Sequence, residues 1–118
     1  MITVRFFLKF SSDTRIGLGK VRLLEAIGTT GSISAAARAL DMTYRRAWEL
    51  LNHMNKAFGQ PLVTGRVGST GGAELTDLGR DVIARYRRIE ADTQALAAPH
   101  VAALEAVIVA DDSGNEGA

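Results

Sequence analysis

The N-terminal residues alternate between apolar and mostly polar side chains. Apolar side chains occupy every second position, namely Ile2, Val4, Phe6, Leu8 and Phe10. Successive side chains of an extended strand point to opposite faces, so this spacing predicts an N-terminal strand with one buried face. The polar residues 11–13 are expected to end it.

Two helices are predicted next along the chain. The first, from about Gly19 to Ile27, has apolar residues at helical spacing and is expected to end within residues 28–31, which include two glycines. Ser32 is a suitable N-cap for a short second helix. Its one-sided apolar stripe consists of Ile33, Ala36, Ala37 and Leu40.

A third helix is predicted to begin after its cap, Thr43, and to run to about Phe58. A glycine and a proline follow Phe58 and are expected to end the helix. At about 100° per residue, its apolar arc is Tyr44, Ala47, Trp48, Leu51, Met54 and Phe58. The opposite arc is polar: Arg45, Arg46, Glu49, Asn52, His53 and Lys56. We expect Trp48 to be a core anchor and the Tyr44 ring to pack inward with its hydroxyl at the surface.

The segment from Leu62 to Leu75 reads as a β-hairpin with a glycine-rich tip. Its glycines at positions 65, 68 and 71 do not form a phosphate-binding loop, because no Gly-Lys-Ser/Thr follows and the loop does not lead directly into a helix. Thr76 is the expected cap of the next helix, with Asp77 favourably placed in its first turn.

This fourth helix is predicted to be long, reaching at least Ala98, because apolar residues continue at steps of three and four. Pro99 is expected to end it, kink it or begin a separate helix. The predicted organisation is a domain over residues 1–98 that includes a dimerisation helix at about 76–98, a helical extension over 99–110, and a disordered acidic tail over 111–118. The fold class is mainly α with a small β-sheet.

Composition excludes several classes of function. The 118 residues are 47% apolar and contain no cysteine, which excludes disulfides, thiolate metal sites and cysteine nucleophiles. His53 and His100 are far apart in sequence, and no catalytic constellation of acids, bases and nucleophiles is visible. We therefore expect no enzyme activity, no metal and no cofactor. With neither a secretory signal nor a membrane-length apolar run, the expected location is the cytoplasm.

The charge is unevenly distributed. Residues 15–88 carry 12 basic and six acidic side chains, a net charge of +6, whereas residues 89–118 carry six acidic side chains and no Lys or Arg.

The order of elements is typical of a winged helix-turn-helix. This plan has two short helices, the second bearing exposed arginines, followed by a hairpin, and it places its second helix in the DNA major groove. A basic centre favours the same partner, double-stranded DNA.

In this plan the hairpin is called the wing. The candidate DNA contacts lie on the third helix and at the tip of the hairpin, and one lies at the cap of the second helix. They are Ser32, Thr43, Tyr44, Arg45, Arg46, Glu49, Lys56, Arg66, Ser69 and Thr70. Arg45 and Arg46 can each bind guanine or phosphate, and the sequence does not assign which does which. An ordinary solvated helix face remains the alternative for these side chains, and a protein-interaction or dimerisation module the alternative for the domain.

The run Gly31 to Ala37, the segment Tyr44-Arg45-Arg46-Ala47-Trp48 and the pair Met54-Asn55 resemble the DNA-binding domain of the molybdate-responsive ModE family. The step from Leu75 and Thr76 to Gly79 is also similar to the LysR-type regulators. The resemblance covers roughly residues 16–89.

The resemblance implies a homodimer on a pseudo-palindromic operator, with the long helix supplying much of the dimer contact. The candidate interface residues are Leu78, Val82, Ile83, Tyr86, Ile89 and Leu96. Members of the family sense molybdate through C-terminal domains, and residues 101–118 are too few to build one. The expectation is a regulator without its own molybdate sensor, one that responds through a separate effector-sensing partner protein or binds DNA constitutively.

Overall fold

A computed structural model describes residues 1–11, 13–66, 68 and 70–108. Its elements, in chain order, are β1 (Leu8–Lys9), β2 (Arg15–Ile16), α1 (Leu18–Thr30), α2 (Ile33–Ala39), α3 (Tyr44–Phe58), β3 (Val63–Gly65), β4 (Ala73–Leu75) and α4 (Asp77–Glu105). The predicted fold class, mainly α with small β-sheets, is confirmed. The chain divides into two compact units, one of residues 6–87 and one of residues 1–5 with the residues from 88 onward.

The N-terminal strand is shorter than its alternating pattern suggested. β1 pairs antiparallel with β2, with Leu8 opposite Ile16, and the even-numbered residues from 2 to 10 are partly buried while the odd-numbered ones are exposed. The alternation therefore holds in burial although only Leu8–Lys9 forms a ladder. The sequence did not reveal β2, because two residues are too few to show a period.

The three helices α1 to α3 form most of the core of the unit of residues 6–87. α1 contributes Val21, Leu23, Leu24 and Ile27, all fully buried. α1 ends within the predicted range of residues 28–31: Gly28 lies inside it, and Gly31 is its C-cap with φ 75°, a left-handed conformation that suits glycine. The predicted caps Ser32 and Thr43 are confirmed at the start of α2 and α3.

The predicted hairpin is confirmed as the pair β3 and β4, in which Val63 lies opposite Leu75 and Gly65 opposite Ala73. The hairpin is attached to the end of α1, because the Ala73 amide donates a hydrogen bond to the Gly31 carbonyl, with a nitrogen–oxygen distance of 2.9 Å. We call residues 63–75 the wing. Its attachment to Gly31 holds it beside the turn that joins α1 to α2.

The start of α4 is fixed by Thr76. Its hydroxyl donates to the Pro61 carbonyl at 2.9 Å and accepts from the Gly79 amide at 3.0 Å, and its amide donates to the Leu62 carbonyl at 2.9 Å. The predicted N-cap is thus confirmed. Gly79 is buried against this backbone, and a Cβ there would collide with the Leu62 carbonyl oxygen.

α4 does not end at Pro99, which lies inside the helix. In the unit of residues 6–87, its first half buries Val82 and Tyr86, and the Tyr86 ring stacks on Phe6 with ring centroids 4.6 Å apart. In the other unit, the Ile2 amide donates to a Glu105 carboxylate oxygen at 3.0 Å. The acidic tail expected over 111–118, and residues 109–110 before it, lie outside the described residues.

Candidate nucleic-acid interface

α2, its turn and α3 form a helix-turn-helix in which both helices begin with a side-chain cap. The Ser32 hydroxyl accepts from the Ala35 amide at 3.1 Å, and the Thr43 hydroxyl accepts from the Arg46 amide at 3.0 Å. In the turn, Asp41 has φ 57° and the Met42 amide donates to the Ala37 carbonyl at 2.9 Å. These bonds fix where the first turn of α3 begins.

That first turn presents two arginines to solvent. The exposed fractions of the side chains are 91% for Arg45 and 57% for Arg46. Both guanidinium groups lie near the Glu49 carboxylate, with nitrogen–oxygen distances of 3.7 Å for Arg45 and 3.4 Å for Arg46. Exposed ion pairs of this kind contribute little to stability, so the two cations can leave Glu49 for an anionic or base partner at small cost.

The rest of the polar face of α3 is also exposed. Asn52, His53 and Lys56 are accessible, as the sequence predicted. A further cation that the sequence did not single out lies close by: Lys20, on α1, donates to the Arg15 carbonyl at 2.6 Å. Burial, and then the positive charge of Arg46, lower the pKa of the Lys20 ammonium group. In the sequence, the only indication of a role for Lys20 is that it belongs to the basic residues of the central part of the chain.

The Arg66 side chain does not project from the wing as expected. Its guanidinium lies over Gly31, where it occupies the space a Cβ would need, while its amide donates to the Gly72 carbonyl at 3.1 Å. A cation at the C-terminal end of a helix such as α1 is favourably placed in the helix dipole. Thr70 is exposed, and the predicted contact Ser69 lies outside the described residues.

The interpretation of Trp48 as a core anchor is wrong. Trp48 is 38% exposed and Tyr44 is 55% exposed, and their rings meet edge to face with centroids 6.2 Å apart. The buried face of α3 is Ala47, Leu50, Leu51 and Met54. Leu50, which the predicted arc omitted, shifts the buried face away from Tyr44 and Trp48, so both aromatic residues lie at its edge.

These two rings border a cleft of about 530 Å³ between the N-terminal turns of α2 and α3 and the wing. Ile33 and Ser34 of α2 also line it, and the wing contributes residues of both its strands and the glycines beside them. None of the residues that line it is charged. The cleft is open to solvent, next to the turn that carries Arg45 and Arg46.

The candidate dimer residues on α4 differ in their environments. Val82 and Tyr86 are buried within the chain's own core, 7% and 1% exposed, so the prediction that they face another copy is corrected. Leu78 and Ile83 are partly buried against the same core. Ile89 and Leu96, in contrast, are 37% and 78% exposed. The predicted interface residues that stay exposed are therefore those in the C-terminal part of the predicted set.

Within residues 1–11, 13–66, 68 and 70–108, no group of three or more His, Asp or Glu side chains could hold a metal ion. In the same part of the chain, no helix has the length and apolar character needed to cross a membrane.

A capped helix pair, an arginine-bearing second helix and an adjoining two-stranded wing define the class of winged helix-turn-helix domains. Residues 18–80 match the family described as bacterial regulatory helix-turn-helix protein, lysR family. Since the match spans more than half of the chain, the chain belongs to this family. The resemblance to LysR-type regulators noted in the sequence is thereby confirmed, and this family is one of regulators rather than enzymes. The resemblance to ModE is confirmed by similarity to curated relatives.

The chain is similar to the molybdenum transport protein ModE of Azotobacter vinelandii, with 40% identity over 102 residues, covering 80% of this chain and 37% of that protein. It is 46% identical over 82 residues to the molybdenum-pterin-binding protein MopB of Rhodobacter capsulatus, covering 68% of this chain and 30% of that protein. The chain thus spans about a third of the length of these relatives. The DNA-binding domain of CbnR, solved in a complex with DNA, has the same fold, with a TM-score of 0.58 at 24% identity over 72% of this chain and 95% of that one.

Proposed function

We propose that this chain is a sequence-specific transcriptional regulator of the ModE and LysR type that binds double-stranded DNA as a homodimer in the cytoplasm. The observation that carries the proposal is the first turn of α3, where Arg45 and Arg46 are exposed to solvent and form ion pairs with Glu49. Membership in the family and the fold shared with a DNA-binding domain support it.

α3 is suited to the major groove. An α-helix fits this groove, and residues near its N-terminus reach base edges. Arg45 and Arg46 are in that position, and each guanidinium can form paired hydrogen bonds with guanine or with a phosphate. A good bidentate contact to a base contributes about 1–3 kcal/mol of discrimination. Glu49 and Lys56 lie on the same face in the following turns, where they extend the contact surface.

The wing supplies the second contact. Its position is fixed by the hydrogen bond between Ala73 and Gly31, so it lies close to the start of α2. Arg66 rests over Gly31 in the free protein but remains exposed. In the complex this guanidinium turns toward a phosphate, and Thr70 contributes a hydroxyl beside it. Such contacts position a protein on the duplex without reading its sequence.

A second copy is proposed to pack on α4. Ile89 and Leu96 are large apolar side chains that this chain leaves exposed, and apolar surface of this kind favours association. Two copies related by a twofold axis present two recognition helices to a pseudo-palindromic operator. The names of the relatives refer to molybdenum, but this chain spans about a third of them, and sensing through a separate partner protein remains a prediction from sequence.

The proposal is tested by replacing both arginines, Arg45→Ala with Arg46→Ala. Affinity for a duplex selected from a random library is expected to fall by about 30-fold, since each arginine contact contributes at least about 1 kcal/mol. The slope of log affinity against log salt is expected to fall by about one for each phosphate that the variant no longer neutralises. Fluorescence anisotropy of a labelled duplex at several salt concentrations measures both quantities.

The matched control is the pair Arg85→Ala with Arg88→Ala, which removes the same charge from α4. These side chains are 77% and 79% exposed and are paired with acidic residues four positions away. The control is expected to bind the duplex nearly as well as the unaltered protein. Equal reductions of affinity in the two double variants would mean that only net charge matters, and would contradict recognition by α3.

A further inference from the structure

The cleft between α3 and the wing is separate from the charged surface, although it adjoins it. Tyr44 and Trp48 form one wall, and the wing forms the other with Thr64 and the backbone of Gly65 and Gly71. A Cβ built on either glycine would meet nothing within 4 Å, so the wing wall leaves room for a bulky group. The volume of the cleft, about 530 Å³, is in the range of small-ligand sites.

The chemistry of the lining selects the occupant. Because no charged side chain lines the cleft, a phosphate or another ion would lose hydration there without gaining a counter-charge. An apolar or weakly polar group fits better, since Ile33 and the exposed faces of Tyr44 and Trp48 gain from being removed from water. In DNA the groups of this character are the deoxyribose ring and the C5-methyl group of thymine.

The position of the cleft points to the same occupant. Tyr44, at its edge, directly precedes Arg45 in the first turn of α3, which the proposed function places in the major groove. The opposite wall is the wing, which that proposal places on the same duplex. A DNA strand that runs from one contact to the other passes the cleft between them. The cleft is thus continuous with the proposed interface.

We propose that this cleft is a nucleotide subsite, in which one deoxyribose of the bound strand and its thymine methyl group pack against Trp48. The inference rests on the proposed function, because it requires a bound duplex. In this proposal Trp48 determines specificity, because it recognises thymine by an apolar contact. This contact is separate from the hydrogen bonds by which Arg45 and Arg46 recognise bases.

Trp48 is the single tryptophan of the chain, so its fluorescence reports on this cleft alone. Titration with a selected duplex is expected to change the emission of Trp48 and to protect it from quenching by acrylamide. Binding is followed independently by the anisotropy of a label on the DNA. A duplex of scrambled sequence, at a concentration that gives equal occupancy, is the control and is expected to protect Trp48 less.

Replacement of each thymine of the selected duplex by deoxyuridine, one position at a time, removes only the methyl group. At one position in each half-site the affinity is expected to fall about fourfold, the effect of one buried methyl group. Trp48→Ala is expected to lower affinity about tenfold and to abolish the difference between thymine and uracil at that position. Trp48→Phe, which keeps an aromatic ring, is expected to retain part of the difference.

Three results would overturn the subsite. One is saturation of the labelled duplex with no change in Trp48 emission, and another is a thymine preference that persists unchanged in Trp48→Ala. The third is full protection of Trp48 at high protein concentration without DNA, which would mean that another copy of the chain fills the cleft. Failure of every duplex to bind would instead overturn the proposed function, and the subsite with it.

Discussion

Glu25 and Arg87 form an ion pair between residues 62 positions apart in sequence. Two guanidinium nitrogens of Arg87 donate to the two carboxylate oxygens of Glu25, at 2.8 and 2.7 Å. The hydrogen bond from Arg87, opposed by burial and assisted by the charges of Arg87 and Arg22, holds the pKa of the Glu25 carboxyl below its ordinary value. The pair joins α1 to α4 within the unit of residues 6–87.

The Glu25 pKa shift predicts a dependence of stability on pH. Because the folded protein holds this pKa below its unfolded value, the unfolded chain binds the proton more tightly. The stabilisation is therefore present above the ordinary Glu pKa of about 4.3 and is lost as pH falls through the folded-state value. Glu25→Gln is expected to lower the free energy of unfolding at pH 7 and to have progressively less effect on acidification.

Urea unfolding of the unaltered protein and of Glu25→Gln, at a series of pH values from 7 to about 3, measures this difference. Arg87→Ala should give the same pH dependence, since it removes the other partner. A difference between the unaltered protein and Glu25→Gln that stays constant over the whole series would contradict the role assigned to the pair.

At the residue scale, the sequence predicted the exposure of the charged side chains of α3 but not the positions of Trp48 and Arg66. Arg45 and Arg46 are exposed as predicted, because helical periodicity alone separates them from the apolar arc. Trp48 lies at the edge of the buried face of α3 because Leu50 belongs to that face. The resting place of Arg66 depends on Gly31, which precedes it by 35 positions in the chain.

At the scale of elements, helix boundaries were predictable where a local signal sets them. Ser32 and Thr43 cap α2 and α3 through hydrogen bonds that span three residues, so the signal is contained in the sequence. The end of α1 was predicted only as the range 28–31, because this range contains two glycines and the sequence does not say which one adopts the left-handed conformation; in the structure it is Gly31. The pairing of β1 with β2 was missed because β2 has only two residues, too few to show a period.

The step from Thr76 to Gly79 at the start of α4 shows how a short motif encodes packing. Gly79 approaches the Leu62 carbonyl so closely that no side chain fits. Gly79→Ala is expected to destabilise the domain by about 1–3 kcal/mol, the usual range for overpacking. Urea unfolding monitored by circular dichroism measures the change.

Gly19→Ala is the matched control for this substitution. Gly19 also lies in a helix, but a Cβ there would meet nothing within 4 Å. Alanine favours helix over glycine by about 0.5–1 kcal/mol, so this variant is expected to be as stable as the unaltered protein or slightly more so. Equal destabilisation by the two substitutions would show that the contact between Gly79 and Leu62 is unimportant.

At the scale of the whole molecule, the order of elements followed from the sequence because each helix and the wing carries its own periodicity and stop signals. The extent of the dimer surface did not follow. Val82 and Tyr86 share the helical stripe of Ile89 and Leu96, yet the first two are buried, with Phe6 stacked on Tyr86, and the other two are exposed. A single stripe on α4 thus serves the core in one part and is available to a second copy in another.

The central claim, symmetric and sequence-specific DNA binding, is tested most directly by selecting bound duplexes from a random library with the purified protein at two salt concentrations. The account predicts enrichment of an inverted repeat whose half-sites are about one helical turn apart, roughly 34 Å, with weaker binding at the higher salt concentration. Failure to enrich any sequence at either salt concentration would contradict it.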